Sequence, residues 1–133
     1  LRYFNVYGPR QDPKSPYAAV IPIFLERAKA GKDLVIYGDG LQSRDFVHVK
    51  DVVRANIAAL EHGDGEVLNV AMGKSVTVLE LAENIVRLTG SSSKIVHAPS
   101  RAGDVKGSKA DISKISNWWK GEVELQEGLM SLI

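Results

Sequence analysis

Apolar residues fall in short clusters whose spacing switches between the period of a strand and the period of a helix. Leu1–Tyr7 is apolar and aromatic on both alternating faces, apart from Arg2 and Asn5. That pattern predicts a strand covered on both sides, as in the middle of a parallel sheet. Gly8-Pro9 ends it, and a polar loop with prolines at 13 and 16 follows from Gln11 to Tyr17. Ala18 to Ala30 reads as a helix, with Pro22 tolerated in its first turn and Gly31 closing it. Leu34–Tyr37 and Phe46–Val49 predict strands, paired with each other across a Gly-rich connection. Asp51 is placed to cap a helix running to about His62, with Gly63 as its stop. Glu66–Ala71 predicts a strand. Thr77-Val78-Leu79-Glu80 is a capping box, and Val78, Leu81, Ala82, Ile85 and Thr89 recur at helical spacing until Gly90. Lys94–His97 predicts a short strand, Asp111 a cap for a helix carrying Ile112, Ile115, Trp118 and Trp119, and the last residues a further helix. Strands alternating with helices argue an α/β fold.

Composition narrows the function. The 133 residues fit one ordinary domain. Apolar content of 44% and charged content of 25% are those of a soluble globular protein. A net charge of +1, with no run of basic residues, gives no electrostatic reason to expect nucleic acid or an anionic membrane. The absence of cysteine excludes disulfides, thiolate metal sites and a cysteine nucleophile, and fits a reducing, cytoplasmic compartment. No stretch approaches membrane-spanning length and the start is no signal peptide. Leu1 already sits in a strand-like run, so the chain reads as a piece of something longer.

Several chemistries lack their residues. A dinucleotide fingerprint needs G-x-G-x-x-G, so that backbone can touch a pyrophosphate at a helix start. Gly38-Asp39-Gly40 approaches it, but Ser43 holds the third position and the run leads into a strand. No tyrosine is followed four residues later by a lysine. His48, His62 and His97 are too dispersed for a local metal motif, and no nucleophile elbow is present. No catalytic residue and no metal ligand is assigned.

The stretch from Gly38 to Asp51 carries the most information. A Gly-Asp-Gly turn leads to Arg44, then to a second apolar strand, then to an acidic residue before a helix. This order can hold a guanidinium over an anion between two strands. The competing account is a salt bridge, for example of Arg44 with Asp45 or Asp51.

The chain resembles the extended short-chain dehydrogenase/reductase family, in particular its UDP-hexose 4-epimerase members. Leu1–Pro13 looks like the segment that follows the family's catalytic tyrosine and lysine. Tyr17–Phe24 is similar to the next helix, and the Arg44 segment to the one after it. Arg101-Ala102-Gly103-Asp104 and Ala110-Asp111-Ile112-Ser113-Lys114 resemble the last substrate-contact stretch, and Gln126-Glu127-Gly128-Leu129 the start of the terminal helix. The resemblance covers roughly the last two-fifths of a family member. It implies that residues 1–133 form a C-terminal substrate-binding part, with one strand belonging to a parallel sheet of an extended Rossmann-type fold. The N-terminal NAD-binding half lies outside this chain.

The resemblance also implies roles. Arg44 and Arg101 would hold the pyrophosphate, where planar forks of donors suit phosphate oxygens better than a point charge. Asn5, near the end of a buried strand, would donate to a phosphate or sugar oxygen; the alternative is an amide satisfied by neighbouring backbone. Asp104 would accept from the ribose diol, or is simply a turn residue after Gly103. Val35, Ile36 and Tyr37 would flank the uracil, and Ala18, Ala19 and Val20 would form the other wall. Tyr3 would pack near the nicotinamide as the single cofactor contact. Ser108 would lie beside the sugar C2 substituent, its small side chain leaving room for an N-acetyl group. Of the tandem Trp118 and Trp119, one is expected in the core and the other partly exposed or at a partner.

The implied parent is an NAD-dependent epimerase acting on UDP-glucose or UDP-N-acetylglucosamine. Hydride leaves C4, the keto sugar swings about its pyrophosphate, and hydride returns to the opposite face. Alternatives are a 4,6-dehydratase or decarboxylase of the same family, or a nucleotide-binding fragment without turnover. The parent is expected to be a homodimer. This chain alone is expected to be inactive and to self-associate through unpaired strand edges.

Overall fold

The computed structural model describes residues 1–15 and 19–133. Tyr17 and Ala18, placed above at the start of the first helix, lie outside them. Helix α1 (Val20–Lys29) buries Ile21, Phe24, Leu25 and Ala28 along one stripe. Pro22 sits in its first turn, where a missing N–H removes no helical bond. A second helix of the same kind, α3 (Val78–Thr89), buries Val78, Leu81, Ala82 and Ile85. Thr77 and Glu80 close the reciprocal capping box at its start, and Gly90 ends it in the left-handed conformation at φ 62°. Both helices pack with the inward residues Leu34 and Ile36 of strand β3 (Leu34–Tyr37) into one core, joined by Tyr7, Phe46 and Leu129.

The strand pairings differ from those predicted. Strand β3 runs parallel to β8 (Ile95–Ala98), with Leu34 opposite Ile95 and Tyr37 opposite Ala98. The second predicted strand, β5 (Val47–His48), instead pairs in parallel with β2 (Val6–Tyr7). The connection between β3 and β5 is no hairpin, because it carries its own strand. Gly38 and Gly40 turn at φ 82° and 80°, and β4 (Ser43–Arg44) then runs antiparallel to β7 (Val76–Thr77).

The first run also divides. Strand β1 (Arg2–Tyr3) pairs in parallel with β6 (Asn69–Val70), whereas β2 pairs with β5. Burial on both faces is not observed: Leu1 is 40% and Tyr3 48% exposed, because among the described residues nothing covers the outward side chains of β1.

Helix α2 (Val49–Ala58) is capped by His48, whose Nδ1 accepts from the Lys50 N–H at 3.3 Å. Asp51 is therefore not the cap. Strand β5 runs straight into the helix, so the last extended residue takes that place. Asp51 is buried in the first turn, accepts from the N–H groups of Glu122 and Val123 at 3.3 and 3.0 Å, and pairs with Arg54. The helix predicted after Asp111 is reduced to a 3-10 turn at Ile115–Asn117, with Asp111 accepting from the Ser113 N–H at 2.9 Å. Ile115 and Trp119 enter a second core under α2 with Val47, Val52, Ala55, Leu68 and Val70. Trp118 is partly exposed and stacks on His62. Helix α4 (Leu125–Met130) closes the chain and sets Gly128 against the buried Tyr7 hydroxyl. Among the described residues no helix is long and apolar enough to cross a membrane.

Candidate functional site

A cleft of about 470 Å³ opens where α1, β3, β4 and the turn at 101–104 meet. Strand alternation sends Leu34 and Ile36 inward and leaves Val35 and Tyr37 less covered. Val35 and Tyr37 line one side of the cleft, and Ala19 and Val20 at the start of α1 line another. Ala19 caps α1 with extended backbone and no side-chain bond. A helix start of this kind favours negative charge nearby. Asn5, Arg44, Arg101 and Asp104 complete the polar part of the lining.

Arg44 is closely held. Nη1 donates to the carbonyls of Ser43 and Val105 at 2.8 and 2.6 Å, and Nη2 donates to Asp104 Oδ1 at 2.5 Å. Its partner is thus Asp104, and neither Asp45 nor Asp51. Arg101 approaches from the turn that carries Asp104, and its guanidinium carbon lies 3.7 Å from the Tyr37 ring centroid. Two cations separated by more than fifty residues in sequence share one cleft. Asn5 donates its amide to the Asp45 carbonyl at 2.9 Å. An amide nitrogen has two hydrogens, so one donor remains.

Two predicted residues stand outside the lining. Ser108 is partly buried behind the loop, its N–H donating to the Ser43 carbonyl at 3.0 Å. Tyr3 is exposed on another face, its hydroxyl donating to Asn56 Oδ1 at 2.8 Å.

Sequence reasoning missed Asp45 and Gln42. Asp45 is fully buried, and its two oxygens accept from the N–H groups of Met72 at 2.9 Å and Ala110 at 3.2 Å. Burial pushes its carboxyl up, while backbone bonds from Met72, Ala110 and Gly73 pull it back. Asp45 thereby ties β4 to two distant segments and fixes the backbone beside Arg44. Gln42 lines the cleft and donates to the Tyr37 carbonyl at 2.9 Å. Its only signal was its place two residues before Arg44.

Residues 1–71 match the NAD dependent epimerase/dehydratase family, and the chain belongs to that family. It is 40% identical over 142 residues to the UDP-N-acetyl-alpha-D-glucosaminuronate decarboxylase of Bacillus cytotoxicus, an alignment covering 100% of this chain and 44% of that protein. The crystal structure of UDP-glucose 4-epimerase with UDP-glucose from Thermotoga maritima superposes with a TM-score of 0.94 at 45% identity, over 98% of this chain and 42% of that one. The UDP-N-acetylglucosamine 4-epimerase from Methanobrevibacter ruminantium M1, in complex with UDP-N-acetylmuramic acid, gives a TM-score of 0.92 at 46% identity over 98% and 43%. The chain spans a little over two-fifths of the length of these relatives. Its α/β architecture is that of the matching part of an extended Rossmann-type epimerase.

Proposed function

We propose that the chain is the substrate-holding part of an NAD-dependent UDP-sugar 4-epimerase acting on UDP-glucose or UDP-N-acetylglucosamine. The observation that carries this reading is the arrival of Arg44 and Arg101 at one cleft, beside a slot lined by Ala19, Val20, Val35 and Tyr37. The guanidinium pair takes the diphosphate. The slot takes the uracil, Asp104 the ribose diol, and the spare Asn5 donor a phosphate or sugar oxygen. Firm contacts at the diphosphate with fewer on the sugar suit a reaction in which the ring must turn over, because remote binding energy holds the substrate while the reacting ring moves. Ser108, small and partly buried, is the position at which we place tolerance of an N-acetyl group.

The glycine pattern of a dinucleotide cradle is not among the motifs of this chain. Gly38 and Gly40 lead into a strand rather than a helix, and the Tyr3 hydroxyl is engaged by Asn56. We therefore assign the cofactor mainly to a part of the whole protein outside this chain, with the exposed Tyr3 ring as its one contact here, and no chemical step to residues within the chain.

The test is Arg44→Ala in the full-length protein. Loss of a charged donor is expected to weaken UDP-sugar binding by roughly 1.5–3 kcal/mol; unchanged affinity would remove Arg44 from the site. A second reading, decarboxylation of a UDP-sugar acid, is favoured by the identity to the Bacillus cytotoxicus enzyme over the whole chain. Product analysis separates them: a C4-inverted hexose supports epimerisation, and a pentose or deoxy-keto sugar ends that claim.

A further inference from the structure

Helix α1 borders a second cavity, of about 430 Å³, on a face other than the one it turns to the cleft. Ile21, Leu25 and Lys29 line it at intervals of one helical turn, so the groove follows the helix for about 12 Å. Ile21 touches both cavities, which makes α1 the partition between them. The loop after β2 and Leu132 supply the remaining walls. Two cations stand on the lining, Arg10 and Lys29, against one carboxylate, Glu26. Lys29 Nζ donates to the Leu132 carbonyl at 2.7 Å and keeps two further hydrogens. Among the described residues the Arg10 guanidinium has no hydrogen-bond acceptor and no ion-pair partner.

The backbone singles out the same residue. Arg10 adopts φ 71°, and among the described residues it is the one position other than glycine with a positive φ. Glycine takes this conformation freely, whereas a residue with a side chain is strained in it. The turn is held from the next residue, whose Gln11 amide donates to the Val6 carbonyl at 3.0 Å. A strained position thus carries a planar fork of donors that no protein group uses, on a groove whose floor is the buried apolar pair Ile21 and Leu25. Such a fork suits a phosphate or carboxylate, and the floor suits an aryl or alkyl body. We propose that the groove between α1 and the loop carrying Arg10 is a second ligand site, which takes a small organic anion with an apolar body. Arg10 is its principal contact, Lys29 adds positive charge, and Glu26 limits the charge that the site accepts. The site is separate from the cleft and does not depend on the nucleotide-sugar reading.

Calorimetric titration of the full-length protein with phenyl phosphate and with inorganic phosphate tests the site. Phenyl phosphate is expected to bind wild type about tenfold more tightly than inorganic phosphate, through burial of its ring. Arg10→Gly keeps the backbone conformation and removes the cation, and is expected to weaken phenyl phosphate at least about tenfold. Arg10→Asn, which also tolerates a left-handed backbone, is expected to show the same loss and guards against a folding defect in the glycine variant. Glu26→Gln, at an exposed position, is expected to tighten binding about threefold. Arg44→Ala is expected to bind phenyl phosphate as wild type does. Equal affinity for the two probes, or undiminished binding when Arg10 is replaced, overturns the proposal. So does loss of binding in Arg44→Ala with none in the Arg10 variants, which would put the probe in the cleft.

Discussion

Arg101 stacks its guanidinium on the ring of Tyr37, with 3.7 Å between the guanidinium carbon and the ring centroid. The second cation of the cleft is thus positioned by an aromatic side chain of β3. A stack of this kind at an exposed site contributes about 0.5–1 kcal/mol. Arg101→Lys keeps the charge but loses both the planar fork and the stack. It is expected to weaken UDP-sugar binding by at least roughly 0.5–1 kcal/mol while leaving the melting temperature unchanged. Titration with the UDP-sugar and a thermal melt check the two halves of that statement. Unaltered binding would mean that charge alone matters at this position.

Asp45 supports the cleft without lining it. Asp45→Ala would leave the Met72 and Ala110 N–H groups without their carboxylate acceptor. Each buried donor left unsatisfied costs about 1–3 kcal/mol, so a loss of about 2–6 kcal/mol is expected for the two. Urea denaturation measures it. Asp45→Asn keeps one acceptor oxygen and should recover part of the loss; equal stability of all forms would refute the bracing role.

His48 makes stability depend on pH. Burial lowers its pKa below the ordinary 6.5, with Lys50 acting in the same direction and Asp51 and Glu127 opposing. The folded protein therefore binds fewer protons at this ring than the unfolded chain does. Its contribution to stability is complete above about 6.5 and declines as pH falls from there toward the lowered folded value. The urea midpoint is expected to drop between pH 7.5 and 5.5. His48→Asn retains a side-chain acceptor for the helix start and should flatten that part of the profile. An identical slope in the variant would show that other groups are responsible.

The helices were legible because their signals are local. Ile21, Phe24, Leu25 and Ala28 mark one face of α1, while Thr77, Glu80 and Gly90 mark the ends of α3 within a few residues. The pairings were not, because the strands at 2–3, 6–7 and 47–48 hold two residues each and find partners far along the chain. Nothing near Leu34 announces Ile95 as its neighbour. The same limit governs the site. Asn5, Ala19, Val20, Val35, Tyr37, Arg44, Arg101 and Asp104 were assigned through resemblance to a family's motifs, and they line one cleft. The partner of Arg44 was sought at Asp45 and Asp51, close in sequence, and lies instead at Asp104. Asp45 escaped notice because a brace between backbone segments has no motif of its own. Ser108 and Tyr3 were assigned on the same resemblance and sit away from the lining.

Tyr7 is a party wall: its ring borders the cleft on one side, and on the other its hydroxyl meets Gly128 with no space for a Cβ between them. The closing helix contributes nothing to the cleft lining, yet any side chain at 128 must shove that wall toward the ligand. Drift in the tail of the chain would then surface first as a changed grip on substrate, and a survey of variants confined to pocket residues would overlook it.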